Sequence, residues 1–154
     1  MEGVMVISFL GHRFLYGCEG LTERIEKAIM ENADYGDDIV FFCGGYGDFD
    51  DLSARVCRSM RGKWKKSEIV FVTPYMTVAQ QEKMKAWIDL GLYDSIIYPP
   101  LEKVPLKFAI QKRNEWMIDQ SDFIIAYVDH SYGGAYQSLN YARRKKKRIV
   151  NLAE

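Results

Sequence analysis

Short runs of consecutive apolar residues alternate along the chain with longer stretches where apolar residues recur every three or four positions. Val4-Met5-Val6-Ile7-Ser8-Phe9-Leu10 is the first such run. A segment apolar on successive residues suits a strand covered on both faces, as in a parallel sheet. The runs Asp38–Cys43, Glu68–Val72, Ser95–Tyr98, Phe123–Val128 and Arg148–Leu152 repeat the pattern and predict five further strands. Between them, Leu21, Ile25, Ala28 and Ile29 stand at i, i+4, i+7 and i+8, which is one face of a helix. Leu52, Val56 and Met60 predict a second helix, and Met84, Trp87 and Ile88 a third that Gly91 would cap. Ile110, Asn114, Met117 and Ile118 predict a fourth, with one polar residue in its stripe, and Ala135, Leu139 and Ala142 a fifth. Pro99-Pro100 and Pro105 mark the loop before the fourth helix.

Strands that alternate with helices fold as right-handed βαβ units. The expected fold is therefore α/β: a Rossmann-like open parallel sheet of about five to six strands with helices on both faces. No repeat or linker divides the chain, so one domain over residues 1–154 is expected. At 154 residues and 48% hydrophobic content the chain can build a full core, which excludes wholesale disorder.

Charge adds one restriction. Lys plus Arg and Asp plus Glu each number 21, and a net charge of zero argues against a generally basic nucleic-acid binder. Cys18, Cys43 and Cys57 form no C-x-x-C pair, so reduced thiols are expected. With His12 and His130 as the two histidines, no His-rich metal site is expected. The apolar Met1–Leu10 segment is too short to span a bilayer and has no basic leader. A cytoplasmic protein without membrane contact is the expectation.

Ligands of open parallel sheets bind beyond the carboxyl ends of the strands, and four loops there carry candidate chemistry. After the first strand comes Gly11-His12-Arg13, where Arg13 could fork onto a phosphate or carboxylate, or face solvent beside a glycine turn. After the second strand comes Gly44-Gly45-Tyr46-Gly47-Asp48-Phe49-Asp50-Asp51, whose glycines can expose backbone N–H groups. It is neither G-x-G-x-x-G nor a P-loop. Asp50 and Asp51 could act as acid or base, hold ribose hydroxyls or a metal, or simply favour the helix start, while Asp48 is the better candidate cap.

The third segment is Arg113-Asn114-Glu115 on the fourth helix. Asn114 interrupts an apolar stripe and must find hydrogen-bond partners, whereas Arg113 and Glu115 suit either a site or the helix surface. The fourth is His130-Ser131-Tyr132-Gly133-Gly134, with Tyr136 following. Its Gly-Gly pair opens a helix as a potential anion cradle, and Ser131 or Tyr136 could add a hydroxyl. Finally, Arg143–Arg148 is a run of six basic residues at the end of the fifth helix, read as a solvated helix terminus or a local nucleic-acid patch.

In their order, "ISFLGHRF", "VFFCGGYGDFDDLSARV" and "RNEWMIDQSDFIIAYVDHSYGGAYQSLNYA" resemble segments of the SLOG superfamily, which unites the lonely-guy (LOG) phosphoribohydrolases with the Smf/DprA proteins. The likeness is greatest to the small YpsA-type branch. It implies a Rossmann-like domain that binds a nucleotide or nucleotide-derived ligand, such as a nucleoside phosphate or an ADP-ribose-like molecule, as sensor or sequestering protein. It puts Arg113 at the position of the catalytic LOG arginine and Gly133 and Gly134 at the phosphate-binding glycines. The LOG glutamate position falls on Asn140, so cleavage of an N-glycosidic bond would have to recruit Asp48, Asp50, Asp51 or Glu115. The expected ligand contacts are Gly11, His12, Arg13, Gly44, Gly45, Tyr46, Gly47, Asp48, Asn114, Ser131, Gly133, Gly134 and Tyr136. Neither a metal nor another cofactor is expected. The expected partners are a nucleotide-derived small molecule and a second copy of the chain in a homodimer. Single-stranded DNA in the DprA manner is the disfavoured alternative, and substitution of Arg113 or Arg13 by alanine is expected to abolish ligand binding with the fold intact.

Overall fold

The computed structural model describes residues 3–33 and 38–154. Six strands form one parallel sheet: β1 (Val4–Gly11), β2 (Asp38–Cys43), β3 (Ser67–Val72), β4 (Ser95–Ile97), β5 (Phe123–Tyr127) and β6 (Arg148–Asn151). Their order across the sheet is β4-β3-β2-β1-β5-β6, and all five pairings are parallel. The helices are α1 (Leu21–Asn32), α2 (Asp48–Ser59), α3 (Val78–Asp89), α4 (Ala109–Gln120) and α5 (Gly133–Arg144), with a 3-10 turn at Leu106–Phe108.

The two faces of the sheet carry different helices. Ile7, Phe9, Phe41, Ile69 and Phe71 pack with Leu21 and Ile25 of α1, Phe49 and Val56 of α2 and Met84 of α3. Opposite them, Ile124 and Ala126 meet Ile118 of α4 and Leu139 and Ala142 of α5, while Phe42, Val70 and Val72 surround Met117 of α4. Successive strand residues point to opposite faces, so unbroken apolar runs are what two covered faces require. The chain steps outward from β1 to β4 and then returns to place β5 on the other side of β1. That reversal makes the carboxyl ends of β1 and β5 the topological switch point, where a crevice opens between diverging loops.

The fourth stripe departs from its expected phase. Ala109, Arg113, Met117 and Ile118 are buried, while Ile110 and Asn114 are half-buried. The helix is turned by one position, which brings a charged residue into the interior. The third stripe is shallow, with Met84 buried and Trp87 and Ile88 half-buried. Asp48 is not the cap of α2: Gly47 holds that place, and the Asp48 carboxylate accepts the Leu15 N–H at 3.0 Å. The basic run is not one helix end either. Arg143 and Arg144 close α5, Lys145 to Lys147 form the turn, and Arg148 opens β6.

Candidate functional site

The loops after β1, β2 and β5 and the inner side of α4 enclose a cavity of about 620 Å³ at the switch point. This falls within the roughly 300–1,000 Å³ of small-molecule sites. Gly11, His12, Arg13, Gly44, Tyr46, Asp50, Arg113, Asn114, Gly133 and Gly134 line it. Of the other expected contacts, Gly45, Gly47, Asp48, Asp51 and Ser131 lie outside this lining. Glu115 and Tyr136 line a separate groove between α4 and α5, together with Asn140.

Two glycine-bearing loops form one wall because they touch. Gly47 has φ +110°, and a Cβ there would come 2.5 Å from the Arg13 Cα. The Asp48 N–H donates to the Arg13 carbonyl at 2.8 Å, which locks the same approach. An L side chain would meet both a strained backbone and a backbone clash, so glycine is required here. At Gly44 the absent side chain serves a different purpose. A Cβ would lie 3.2 Å from both Arg113 Nη2 and Asp50 Oδ2, so the bare Cα makes room between the two charges.

Arg113 is the centre of the site. It is 1% exposed, the largest of the fully buried side chains. Nη1 donates to the Gly44 carbonyl at 3.1 Å and the Val72 carbonyl at 2.6 Å, and Nε donates to Asn114 Oδ1 at 2.9 Å. Asn114 Nδ2 in turn donates to Ser138 Oγ at 3.2 Å, which gives the stripe asparagine its partners. The guanidinium lies over the Tyr46 ring at 5.5 Å. Nη2 has no hydrogen-bond partner among the described residues. Burial lowers the Arg113 pKa and the nearby Asp50 carboxylate opposes that, yet guanidinium remains a cation at any physiological pH. A desolvated cation with a donor to spare is an anion-binding group. Arg113 is thereby tied to the Gly44 and Val72 carbonyls and, through Asn114, to Ser138 of α5, so truncating it removes structural bonds.

Asp50 faces Arg113 from the first turn of α2. Its Oδ2 accepts the Tyr46 N–H at 2.9 Å. Burial raises its pKa to about 6, against the opposing pull of Arg113 and the Tyr46 hydrogen bond. Among the described residues, Asp50 is the expected carboxylate that shares the cavity with Arg113. Asp51 is exposed, and Glu115 pairs with Lys112 at 3.4 Å outside the cavity.

Sequence reasoning missed the third wall. His12 and His130, 118 positions apart, stack with ring centroids 3.6 Å apart and planes 7° from parallel. Asp129 joins them: its N–H donates to His12 Nε2 at 3.0 Å, and its Oδ1 lies 2.8 Å from His130 Nδ1. Burial, reinforced by His130, lowers the His12 pKa, with Asp129 opposing. Contrary to the expectation from two isolated histidines, the ligand atoms of His12, Asp129 and His130 lie within 4.8 Å of one another. Parallel stacked rings send their in-plane lone pairs side by side rather than to one point, however, and His12 Nε2 already accepts a hydrogen bond. The trio as folded suits a positioned stack better than a tetrahedral metal. The adjacency of β1 and β5 was the missing signal, because each strand is followed within three residues by a histidine.

The basic run lies away from all this. α5 starts at the cavity and runs to the amino end of β6, so Arg143–Arg148 lie at the opposite, amino end of the strands. Several have structural partners there. Arg143 pairs with Glu154 at 3.2 Å, Lys147 Nζ donates to the Asp119 and Ser121 carbonyls, and Arg148 bonds Asn32 and covers the Phe123 ring.

No family model matches the chain. It is 29% identical over 141 residues to an uncharacterised SPbeta prophage-derived protein, YoqJ, of Bacillus subtilis (strain 168), a match covering 80% of this chain and 78% of that one. Its fold is similar to that of DNA processing protein A (DprA) from Helicobacter pylori, studied for its single-stranded DNA binding mode, with a TM-score of 0.61 and 16% identity over 94% of this chain. DprA from Streptococcus pneumoniae gives a TM-score of 0.63 at 14% identity, again over 94% of this chain. The chain spans 63% and 49% of those two proteins. Among the described residues no helix is long and apolar enough to cross a membrane. The chain has the Rossmann-like α/β fold found in DprA, as the Smf/DprA side of the SLOG resemblance implies.

Proposed function

We propose that this protein binds a nucleotide phosphate in the switch-point cavity. The observation that carries the reading is Arg113, a buried cation whose Nη2 is unpartnered in a cavity of about 620 Å³. The open space at Gly133 and Gly134, where an added Cβ would meet nothing within 4 Å, supplies room for phosphate oxygens at the start of α5. The Gly11-His12-Arg13 and Gly133-Gly134 segments support kinship with the YpsA-type branch on the same grounds.

The nucleotide unit has two sources. A free nucleoside phosphate or ADP-ribose-like molecule suits a crevice of this volume. Single-stranded DNA is favoured by the fold comparisons, because the similar H. pylori DprA has a described single-stranded DNA binding mode. This second reading gains weight that the zero net charge alone denied it. Its footprint would be the cavity and Arg13, since the basic run lies at the amino ends of the strands. If the bound unit is also cleaved, the carboxylates in the cavity that could steady a cationic sugar are Asp50, beside Arg113, and Asp129, beside the histidines, while Asp51 and Glu115 stand outside.

Thermal unfolding with nucleoside monophosphates, NAD, ADP-ribose, cyclic nucleotides and an oligo-dT tests the proposal. A ligand at a hundredfold its Kd stabilises the fold by about 2.7 kcal/mol. A shift with a free nucleotide supports the sensor reading, and a shift with oligo-dT alone supports the DNA reading. No shift with any member overturns both.

A further inference from the structure

Among the described residues four Phe, Tyr and Trp side chains are exposed, Phe14, Tyr16, Phe108 and Tyr132, and the rest are buried or half-buried. Phe41, Phe49, Phe71 and Trp64 are buried in the core. Phe14, Tyr16 and Tyr132 are 63%, 85% and 71% exposed, and all three line the mouth of the cavity. Large apolar rings left in water and gathered around one opening mark a ligand groove rather than ordinary surface.

Tyr132 is not an isolated ring. It lies against His130 at 4.1 Å between centroids, with planes 31° apart, and His130 stacks on His12 at 3.6 Å. The three rings make a ladder that starts at a buried histidine and ends on an exposed tyrosine. Its lower rungs are fixed, since Asp129 holds His12 through its N–H and His130 through its carboxylate. The top rung directly precedes Gly133-Gly134, where the space is open. A platform immobilised in this way has already lost the rotamer freedom that a loose side chain would lose on binding.

We infer that the ladder His12–His130–Tyr132 is the stacking platform for the nucleobase of the ligand, with Tyr132 as its contact surface and Phe14 and Tyr16 as the facing rim. The inference rests on the nucleotide reading and adds an orientation to it: the phosphate points inward to Arg113 and the base lies at the mouth. Every base has a π-face, so the platform selects a planar ring without selecting its sequence.

Calorimetric titration of the full chain with ribose 5-phosphate and with the four nucleoside 5′-monophosphates tests this directly. The expected result is that at least one monophosphate binds about 5- to 100-fold more tightly than ribose 5-phosphate, the increment of one stacked base. In Tyr132→Ala that ratio should fall to near one, and in Tyr132→Phe, which keeps the ring, it should persist. Tyr132 is exposed, so both variants should melt as the wild type does. Equal binding of ribose 5-phosphate and all monophosphates by the wild type overturns the platform and leaves the phosphate site standing. A ratio that survives in Tyr132→Ala also overturns it. Failure of the wild type to bind any of these probes overturns the platform together with the free-nucleotide reading, and leaves the single-stranded DNA reading to the oligo-dT arm.

Discussion

Replacing Asp50 with asparagine should stabilise the protein at neutral pH. In the folded chain burial lifts the Asp50 pKa from 3.8 to about 6, so the folded state holds this proton more firmly than the unfolded state does. Between about pH 4 and 6 the folded chain therefore binds more protons. The stability linked to this group falls as pH rises through that window and stays flat above it. Each pKa unit is worth about 1.4 kcal/mol, which gives an upper limit of about 3 kcal/mol. The true value is smaller, because Asp50 is half-buried and borders a cavity open to water. This figure is net of the attraction to Arg113, which lowers the pKa and is outweighed by burial. Asparagine keeps an oxygen that can accept the Tyr46 N–H and carries no charge.

Urea denaturation of both proteins at several pH values, followed by tryptophan fluorescence, measures the effect. Asp50→Asn should be more stable at pH 8 by up to about 3 kcal/mol, and the gap should close as pH falls towards 4. For a chain of this size that is up to roughly 6–12 °C in Tm. A variant less stable than wild type at pH 8 would refute the reasoning, since attraction to Arg113 would then exceed the cost of burial. A carboxylate kept where it destabilises the fold is the kind of local conflict found at functional sites.

Arg113→Ala should lose about 3–5 kcal/mol in urea denaturation, because it strips the Gly44 and Val72 carbonyls and leaves Asp50 uncompensated. Adding Asp50→Asn to it should recover part of the loss, and strictly additive effects would contradict the electrostatic coupling of the two groups. Gly47→Ala should cost at least about 2 kcal/mol, from φ +110° and the contact with the Arg13 backbone. Wild-type stability would mean that the two loops do not touch. If oligo-dT binds through Arg13 and Arg113, log Kobs should fall with log salt at a slope of about −1.4, while engagement of all six basic residues would give about −4.

Much of the fold was legible from pattern alone. Continuous apolar runs marked all six strands to within one residue at each end, because a strand covered on both faces has no polar positions to spare. The α1 stripe matched its buried residues one for one, Leu21, Ile25, Ala28 and Ile29. The phase of α4 was not legible, because Asn114 drew attention as the polar member of an apolar row. The row that turns inward is Ala109, Arg113 and Met117, and an arginine at such a position looks like surface until its carbonyl partners are known. Those partners come from β2 and β3, distant in sequence.

The site was legible at the level of loops and less so at the level of side chains. The switch-point rule led to Gly11, Gly44 and Gly133, and these do border one cavity. It could not separate Asp50, which lines the cavity and accepts the Tyr46 N–H, from Asp51, one helical step away and exposed. The ring ladder depended on the adjacency of β1 and β5, a fact of sheet order rather than of sequence spacing. The basic run misled for a related reason. Six consecutive cations look like one patch, yet a helix end, a turn and a strand start share them, and Arg143, Arg144, Lys145, Lys147 and Arg148 all have partners within the fold.

The central claim is that the ligand enters the switch-point cavity and meets Arg113. Titrating isotope-labelled protein with nucleoside 5′-monophosphates and with oligo-dT, while recording backbone amides and arginine side-chain NMR signals, tests it most directly. The account predicts saturable shifts at Arg113 Nε, Gly44, Gly133 and Gly134 with at least one of these ligands. Shifts confined to Arg143–Arg148, or none at all, would contradict it.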